Sequence, residues 1–327
     1  MTPEEKAELI SIGSAAIDPE LLPPALKTTA TAGPGAGGTS FFIRSGTRRV
    51  RLSVNPNSPL RVVKEGDGVA VLRNGVVIAH GILERPLCHC PRQAYITISE
   101  RCIFNCRFCP VPKLQGSVKD IPTVLRMVEE TAASGELEAI SLTSGVAESP
   151  YRETERMVEV VRALSCRYDL PIGVSIYPTW RSSEDLYSAG AAEVKYNVET
   201  MDTRIFSQVC PALEHPFILS SLKKAVKIFG KDHVATNIIL GLGEDDACVR
   251  EGVTELASMG VIPILRPVAA SPLRQGEITI RRPDPDRLLR LARMSREIFT
   301  TFGLRPDRAK TMCLLCTGCD ITPFRDV

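Results

Sequence analysis

Cys102, Cys106 and Cys109 crowd into the stretch ISERCIFNCRFCPVP, residues 98–112, with three and then two residues between them. Thiolates packed that closely bind metal. A structural zinc site closes tetrahedrally with four ligands, often as two separated pairs, and no fourth Cys or His lies near this triplet. Arg101, Asn105 and Arg107 interrupt the stretch, so it is not an apolar face that buries cysteines incidentally. A short loop can, however, reach three corners of an iron–sulfur cube and leave the fourth iron free for a ligand. That reading is preferred over zinc.

A second triplet, Cys313, Cys316 and Cys319, is spaced two and two, with Gly318 loosening the backbone beside its last member. No further Cys or His follows it. Two structures satisfy the spacing: a zinc clip completed by Cys88 or Cys90, or an auxiliary iron–sulfur cluster. Beside a first cluster, the second is preferred. Cys166, Cys210 and Cys248 stand alone and read as small buried hydrophobes, and His89 reads as structural.

Bulk properties set the context for this chemistry. The chain has 327 residues, 44% apolar and 24% charged, with a formal net charge of +2. Such a balance gives no electrostatic case for nucleic acid or a membrane surface. The start, MTPEEKAELISIG, does not read as a signal peptide, and no run of apolar residues is long enough for a membrane span. The 11 cysteines are an odd number, so full pairing within the chain is impossible, and reduced, metal-holding thiolates in the cytoplasm are expected.

The elements that must position these thiols follow from periodicity. Residues 1–26 read as helical, and TAGPGAGGTS (31–40) as a turning loop. A phosphate cradle is disfavoured there, with no Lys-Ser/Thr ending and no strand before it. Short alternating strands fill 40–85, with Asn74-Gly75 as a two-residue hairpin signal. Beyond residue 91, strands at 94–99, 138–144, 172–178, 192–198, 233–241 and 261–268 alternate with helices at 121–134, 151–168, 181–189, 216–229 and 245–259. A last helix, 284–303, precedes an irregular tail. The expected fold is α/β: a partial or full (βα) barrel of about six parallel strands, with its chemistry at the strand C-termini. The expected domains are 1–90 (helix plus small β domain), 91–304 (barrel) and 305–327 (cysteine tail). Arg290, Arg293 and Arg296 line one side of the last helix. They read as a solvated face, with a docking strip for an acidic carrier as the sharper alternative.

The Cys-x3-Cys-x2-Cys loop after the first strand of such a barrel, with Phe108 before its third cysteine, resembles the radical S-adenosylmethionine (SAM) superfamily. The resemblance implies a [4Fe–4S] cluster whose open iron chelates the methionine end of SAM and generates a 5′-deoxyadenosyl radical. LTSGV (142–146) resembles the family's polar glycine motif, which implies that Thr143, Ser144 and Gly145 approach the cofactor. KYNVETMDTRIFSQVCPA (195–212) is similar to the fourth-strand segment of biotin and lipoyl synthases, implying that Asn197 and Glu199 hold SAM. NIILGLGEDDACVREGVTEL (237–256) and RPVAASPL (266–273) resemble their fifth and sixth strand ends, with Gly241 and Gly243 turning the chain near adenine. Biotin synthases place an arginine after the fourth strand. None follows here, and Arg204 is the nearest substitute. The likeness covers 94–275 and is greatest to a subunit of the two-protein type of lipoyl synthase.

What the resemblance implies for function is sulfur insertion into unactivated C–H bonds, in an octanoyl chain on a lipoyl carrier protein or domain. A sister radical SAM subunit and an electron donor such as ferredoxin or flavodoxin are the expected partners, and the auxiliary cluster is the expected sulfur source. The tail matches neither known donor site of those synthases. Two alternatives stay open: a small-molecule substrate in C–C bond formation or cleavage, with the tail cluster carrying electrons, and a non-catalytic electron-transfer or scaffold protein.

Overall fold

The computed structural model describes every residue except Pro34, which lies in the glycine-rich 31–40 stretch. The expectation for that residue therefore falls outside the described chain. The N-terminal region is not one helix. Helix α1 (Pro3–Ile12) opens with a capping box of Thr2 and Glu5 and stops at Gly13, whose φ of 73° is left-handed. Prolines then break the chain into short 3-10 turns after strand β1 (Ser14–Ile17).

Strand β1 closes the small β domain. With β2 (Ser40–Ser45), β3 (Arg48–Val54), β4 (Leu60–Glu65), β5 (Gly68–Arg73) and β6 (Val76–Glu84) it forms a closed barrel of order β1-β3-β2-β6-β5-β4. Pairing is antiparallel except at β1, which runs parallel to both β3 and β4. The Asn74-Gly75 turn has positive φ at both residues, as a type I′ hairpin requires.

The remaining strands make a sheet in which every neighbour pair is parallel and sequential. They are β7 (Gln93–Thr97), β8 (Ala139–Thr143), β9 (Ile172–Ser175), β10 (Glu193–Lys195), β11 (Val234–Leu240) and β12 (Ile262–Pro267). Helices α2 (Ile121–Ala132), α3 (Pro150–Ser165), α4 (Ser182–Ala189), α5 (Thr203–Val209), α6 (His215–Phe229) and α7 (Asp246–Ser258) lie in the crossovers. Acidic or serine N-caps, Asp120, Ser149, Asp202 and Asp245, start four of them by accepting backbone N–H groups. Sheet and helices share one core that includes Ile96, Leu142, Val174 and Val194. Strands expected to run to 178 and 198 end earlier, at Ser175 and Lys195, because the chain beyond them turns into the site loops.

Helix α8 (Pro285–Phe302) leads to a tail that is less irregular than its sequence reads. It holds a short helix, α9 (Met312–Cys316), seated across the N-terminal ends of the sheet. Glu193 accepts the backbone N–H groups of Lys310 and Thr311 at 2.8 and 3.0 Å. Ser141 accepts from Met312 N at 2.8 Å, and Gln93 donates to Met312 O at 3.1 Å. Gly173 is obligatory here: a Cβ would sit 2.1 Å from Thr311 Oγ1.

The chain's last residues lock to its first. Lys6, fully buried, donates to Asp326 Oδ2 and to Thr317 O, both at 2.7 Å. Replacing Asp326 by alanine leaves that ammonium without its counter-charge. The expected cost is about 3–5 kcal/mol, read from urea unfolding, and an effect below about 1 kcal/mol would contradict the role given to the pair.

Candidate active site: two thiol triads joined by one strand

The first triad sits on the loop that leaves the C-terminal end of β7. Val146 N–H points at Cys102 Sγ at 3.4 Å. Phe108 is buried in the core beneath the loop. Gly145 is forced by packing, since a Cβ would meet Arg101 O at 2.3 Å and Cys102 Cβ at 3.2 Å. The loop is tied down by Arg274, which donates to Cys109 O and to Asn105 Oδ1, both at 2.7 Å. Arg274 follows directly on the quoted sixth-strand stretch, and its anchoring role could not be read from spacing. Cys210, isolated in sequence, lies against Cys106, and that contact together with burial raises its thiol pKa. Burial also raises Cys102, and pushes Cys109 up to about 12.

Other predicted residues fall into three groups. Thr143, Ser144 and Gly145 close β8, but the Ser144 hydroxyl is already engaged. It accepts from Ser99 N and donates to the buried Glu153 at 2.6 Å, so it braces the two loops. Gly241 and Gly243 have φ of 104° and 118°, a turn that Glu244 caps through the N–H groups of Gly241 and Leu242. Arg204 requires a correction. It starts α5 at the surface, its side chain 88% exposed and paired at 3.3 Å with Asp202, so it does not face the site. The sequence around it offers a helix N-terminus, and that geometry turns the side chain to solvent.

Strand β10 and its continuation form the spine of the site. Glu193 grips the tail backbone, and Lys195 donates to Cys313 Sγ at 3.3 Å. Two residues further on, Asn197 Oδ1 is buried without a partner, and so are Glu199 Oε2 and, on β11, Asn237 Oδ1. Alternate residues of a strand share a face, so Glu193, Lys195 and Asn197 line one wall of the barrel interior. Glu199 adopts φ of 64°, a conformation that costs a non-glycine residue of order 1 kcal/mol and recurs at ligand sites. Buried oxygens lacking donors are what a polar ligand with hydroxyl and amino groups would satisfy. The residues therefore fit SAM beside a cluster on the first triad.

The second triad faces the same interior from below. Cys313 Sγ is 4.0 Å from Tyr95 Oη, and Cys316 packs with Cys90 and Phe42. Burial acts to raise the Cys313 thiol, but Arg266 and Lys195 outweigh it and the net shift is downward. Cys316 falls to about 7, helped first by Cys90 and then by Arg49. Cys319 is raised by burial. Among the described residues no group of three or more His, Cys, Asp or Glu is arranged to hold a single metal ion. Arg290 and Arg293, by contrast, pair with Asp246 and Glu4 on the outer surface. Among the described residues no helix is long and apolar enough to cross a membrane.

Burial holds the Glu199 carboxyl at about 7, against the lowering effects of Lys195, Asn197 and Arg266. The folded chain thus keeps a proton that the unfolded chain releases near 4.5. Its stabilising effect is complete below that pH and is lost as pH rises through about 7, a change of about 3 kcal/mol in the cofactor-free protein. Glu199→Gln should flatten this slope between pH ~5 and ~8 in urea unfolding; an unchanged slope would show that Glu199 is not the group responsible.

Comparison with known proteins bears on this arrangement. Residues 96–256 match the family described as the radical SAM superfamily. The ribosomal protein uS12 methylthiotransferase RimO of Synechococcus sp. (strain JA-3-3Ab) is 29% identical over 138 residues, which is 40% of this chain and 28% of that protein. This chain therefore spans well under a third of that relative's length. Among solved structures, the FeFe-hydrogenase maturase HydG from Carboxydothermus hydrogenoformans superposes with a TM-score of 0.55 and 17% identity, over 64% of this chain and 52% of that one. Streptococcus suis SuiB bound to S-adenosylmethionine gives 0.52 and 15%, over 64% and 48%. Methylornithine synthase (PylB) gives 0.51 and 18%, over 62% of each chain. These likenesses concern the fold, a partial parallel barrel.

Proposed function

Residues 96–256 are a radical SAM domain, and from that premise we propose that the protein is a radical SAM enzyme that inserts sulfur into unactivated C–H bonds. Cys102, Cys106 and Cys109 would hold a [4Fe–4S] cluster, and Asn197, Glu199 and Asn237 would receive SAM. When bound, the cluster and SAM supply a 5′-deoxyadenosyl radical that abstracts hydrogen from carbon.

The chain's own contribution is placement and dryness. Arg274 and the bracing pair Ser144 and Glu153 hold the cysteine loop in register with the strand ends. An aromatic row, Phe104, Tyr177, Phe217 and Trp180, with neighbouring centroids 4.8–6.2 Å apart, rims the mouth on the β9 side. An ionised Glu199 can accept two hydroxyl donors at once, which suits a ribose.

The observation that carries the sulfur reading is Lys195. Its ammonium stands on the same strand face as Asn197 and reaches down to Cys313 Sγ, so one strand links the residues that would receive SAM to the tail triad at the base of the sheet. On this reading a second [4Fe–4S] cluster on the tail triad would be the source of sulfide. The methylthiotransferase relative adds support for sulfur chemistry. On this reading the substrate is an octanoyl chain carried by a lipoyl domain, and a sister subunit shares the work.

Anaerobic reconstitution with iron and sulfide, followed by reductant and SAM, tests the proposal. The wild-type chain should release 5′-deoxyadenosine and add sulfur mass to an octanoylated lipoyl domain, losing tail-site sulfide in a single turnover. Cys106→Ala should bring 5′-deoxyadenosine to background. Glu199→Ala should weaken SAM binding about 10- to 100-fold, the loss expected for charge-assisted hydrogen bonds. SAM cleavage without sulfur transfer to any acyl carrier would refute sulfur insertion, and absence of SAM cleavage would refute the whole assignment.

A further inference from the structure

Helix α9 puts Cys313 and Cys316 one turn apart, on one face. Thr317 then turns left-handed at φ 55°, and Gly318 carries the chain on to Cys319. That turn is pinned by the β domain, since Arg51 N donates to Gly318 O at 2.7 Å. A Cβ on Gly318 would meet the Phe42 ring at 2.7 Å, so the tail loop lies directly on strands β2 and β3.

A fourth thiol converges on this place from a distant part of the sequence. Cys90 is fully buried and shares one cluster with Cys316 and Phe42. It forms a bridge with Gln93, the residue whose side chain also holds Met312 O. The position of Cys90 and that of α9 are thus fixed by the same glutamine. Of its neighbours, the His89 ring stacks edge-on against Tyr95 at 5.5 Å and approaches Thr28, and Cys88 lies outside the cluster that Cys90 forms with Cys316 and Phe42.

The surroundings are cationic beyond what local carboxylates balance. Arg49 is matched by Glu84 through two hydrogen bonds of 2.7 Å. Arg266 has only Asp320, at 3.7 Å, and its Nε is buried without a partner. Nε and Nη2 of Arg51 are likewise buried and unpartnered. Lys195 has Cys313 Sγ as its acceptor. Buried positive charge without counter-charge is costly, and a thiolate-ligated cluster carries net negative charge.

We propose that Cys90 is the fourth ligand of the tail centre, so that Cys90, Cys313, Cys316 and Cys319 together hold one [4Fe–4S] cluster between the β domain and the base of the parallel sheet. This rests on the reading that the tail binds an iron–sulfur cluster, and adds what closes it. Such a centre differs from the one on the 102–109 loop: every iron has a cysteine, so neither SAM nor substrate finds a vacant iron there. It also gives the β domain a purpose, because Arg49, Arg51 and Phe42 form one wall of the site.

The test uses the full chain with Cys102, Cys106 and Cys109 changed to alanine, which isolates the tail centre, reconstituted with 57Fe. Mössbauer spectra should show a cube of about four irons with no chemically distinct site. Adding Cys90→Ala should yield one distinct iron, or loss of one iron on mild oxidation. Cys90→Ser, which keeps the size and offers an oxygen in place of sulfur, should retain the cube with a shifted signature. Cys88→Ala should change nothing. A four-iron spectrum that Cys90→Ala and Cys90→Ser both leave unaltered would overturn the ligand assignment alone. Zinc or no metal in the isolated tail site would overturn the cluster reading along with it.

Discussion

The polar ladder on β10 is the constraint around which the rest is organised. A parallel barrel normally fills its interior with apolar side chains, and burying the polar groups of Glu193, Lys195 and Asn197 along one wall, with Glu199 just beyond, is costly unless each is satisfied. Glu193 is satisfied by the backbone of residues 310 and 311, and Lys195 by a thiol. Asn197 Oδ1 and Glu199 Oε2 are left without partners. The lower half of the ladder thus fixes the tail, and the upper half presents acceptors beside the first triad. One strand sets the relation between the two thiol sites.

Electrostatics divides those sites. Around the first triad burial dominates, and the Cys102 and Cys109 thiols are raised. Around the tail, Arg266, Lys195 and Arg49 counter burial, and Cys313 and Cys316 are lowered. The loop side has unpartnered buried acceptors close by, which suits a site that takes a ligand. At the tail the lowering is confined to those two thiols, since burial raises Cys319 and Cys90.

Much of this was legible in the sequence because it is local. The loop triplet, the Asn74-Gly75 turn and the Gly-x-Gly-Glu turn are short-range patterns with one steric solution each, and the six parallel strands follow from alternation with helices. What was not legible depends on contacts between distant segments. Cys90 and Cys316 are 226 positions apart by number, and the sequence offered Cys88 and Cys90 alike as partners of the tail without choosing between them. The same holds for Arg274 on the cysteine loop and for Lys6 with Asp326. Arg204 failed in the opposite way: a plausible local position became an exposed helix start. The Glu-x-Lys-x-Asn alternation at 193–197 was the available signal for the ladder, and its period of two shows which side chains share a wall.

On the proposed reading, a cluster held by Cys102, Cys106 and Cys109 would leave one iron open for SAM. Electron–nuclear double resonance on the anaerobically reduced protein, given SAM labelled with 15N at the amine, addresses this directly. The account predicts a hyperfine coupling from the label to the cluster, abolished by Cys106→Ala and retained in the Cys90→Ala variant. A reduced cluster that shows no coupling to the label while SAM is bound would contradict it.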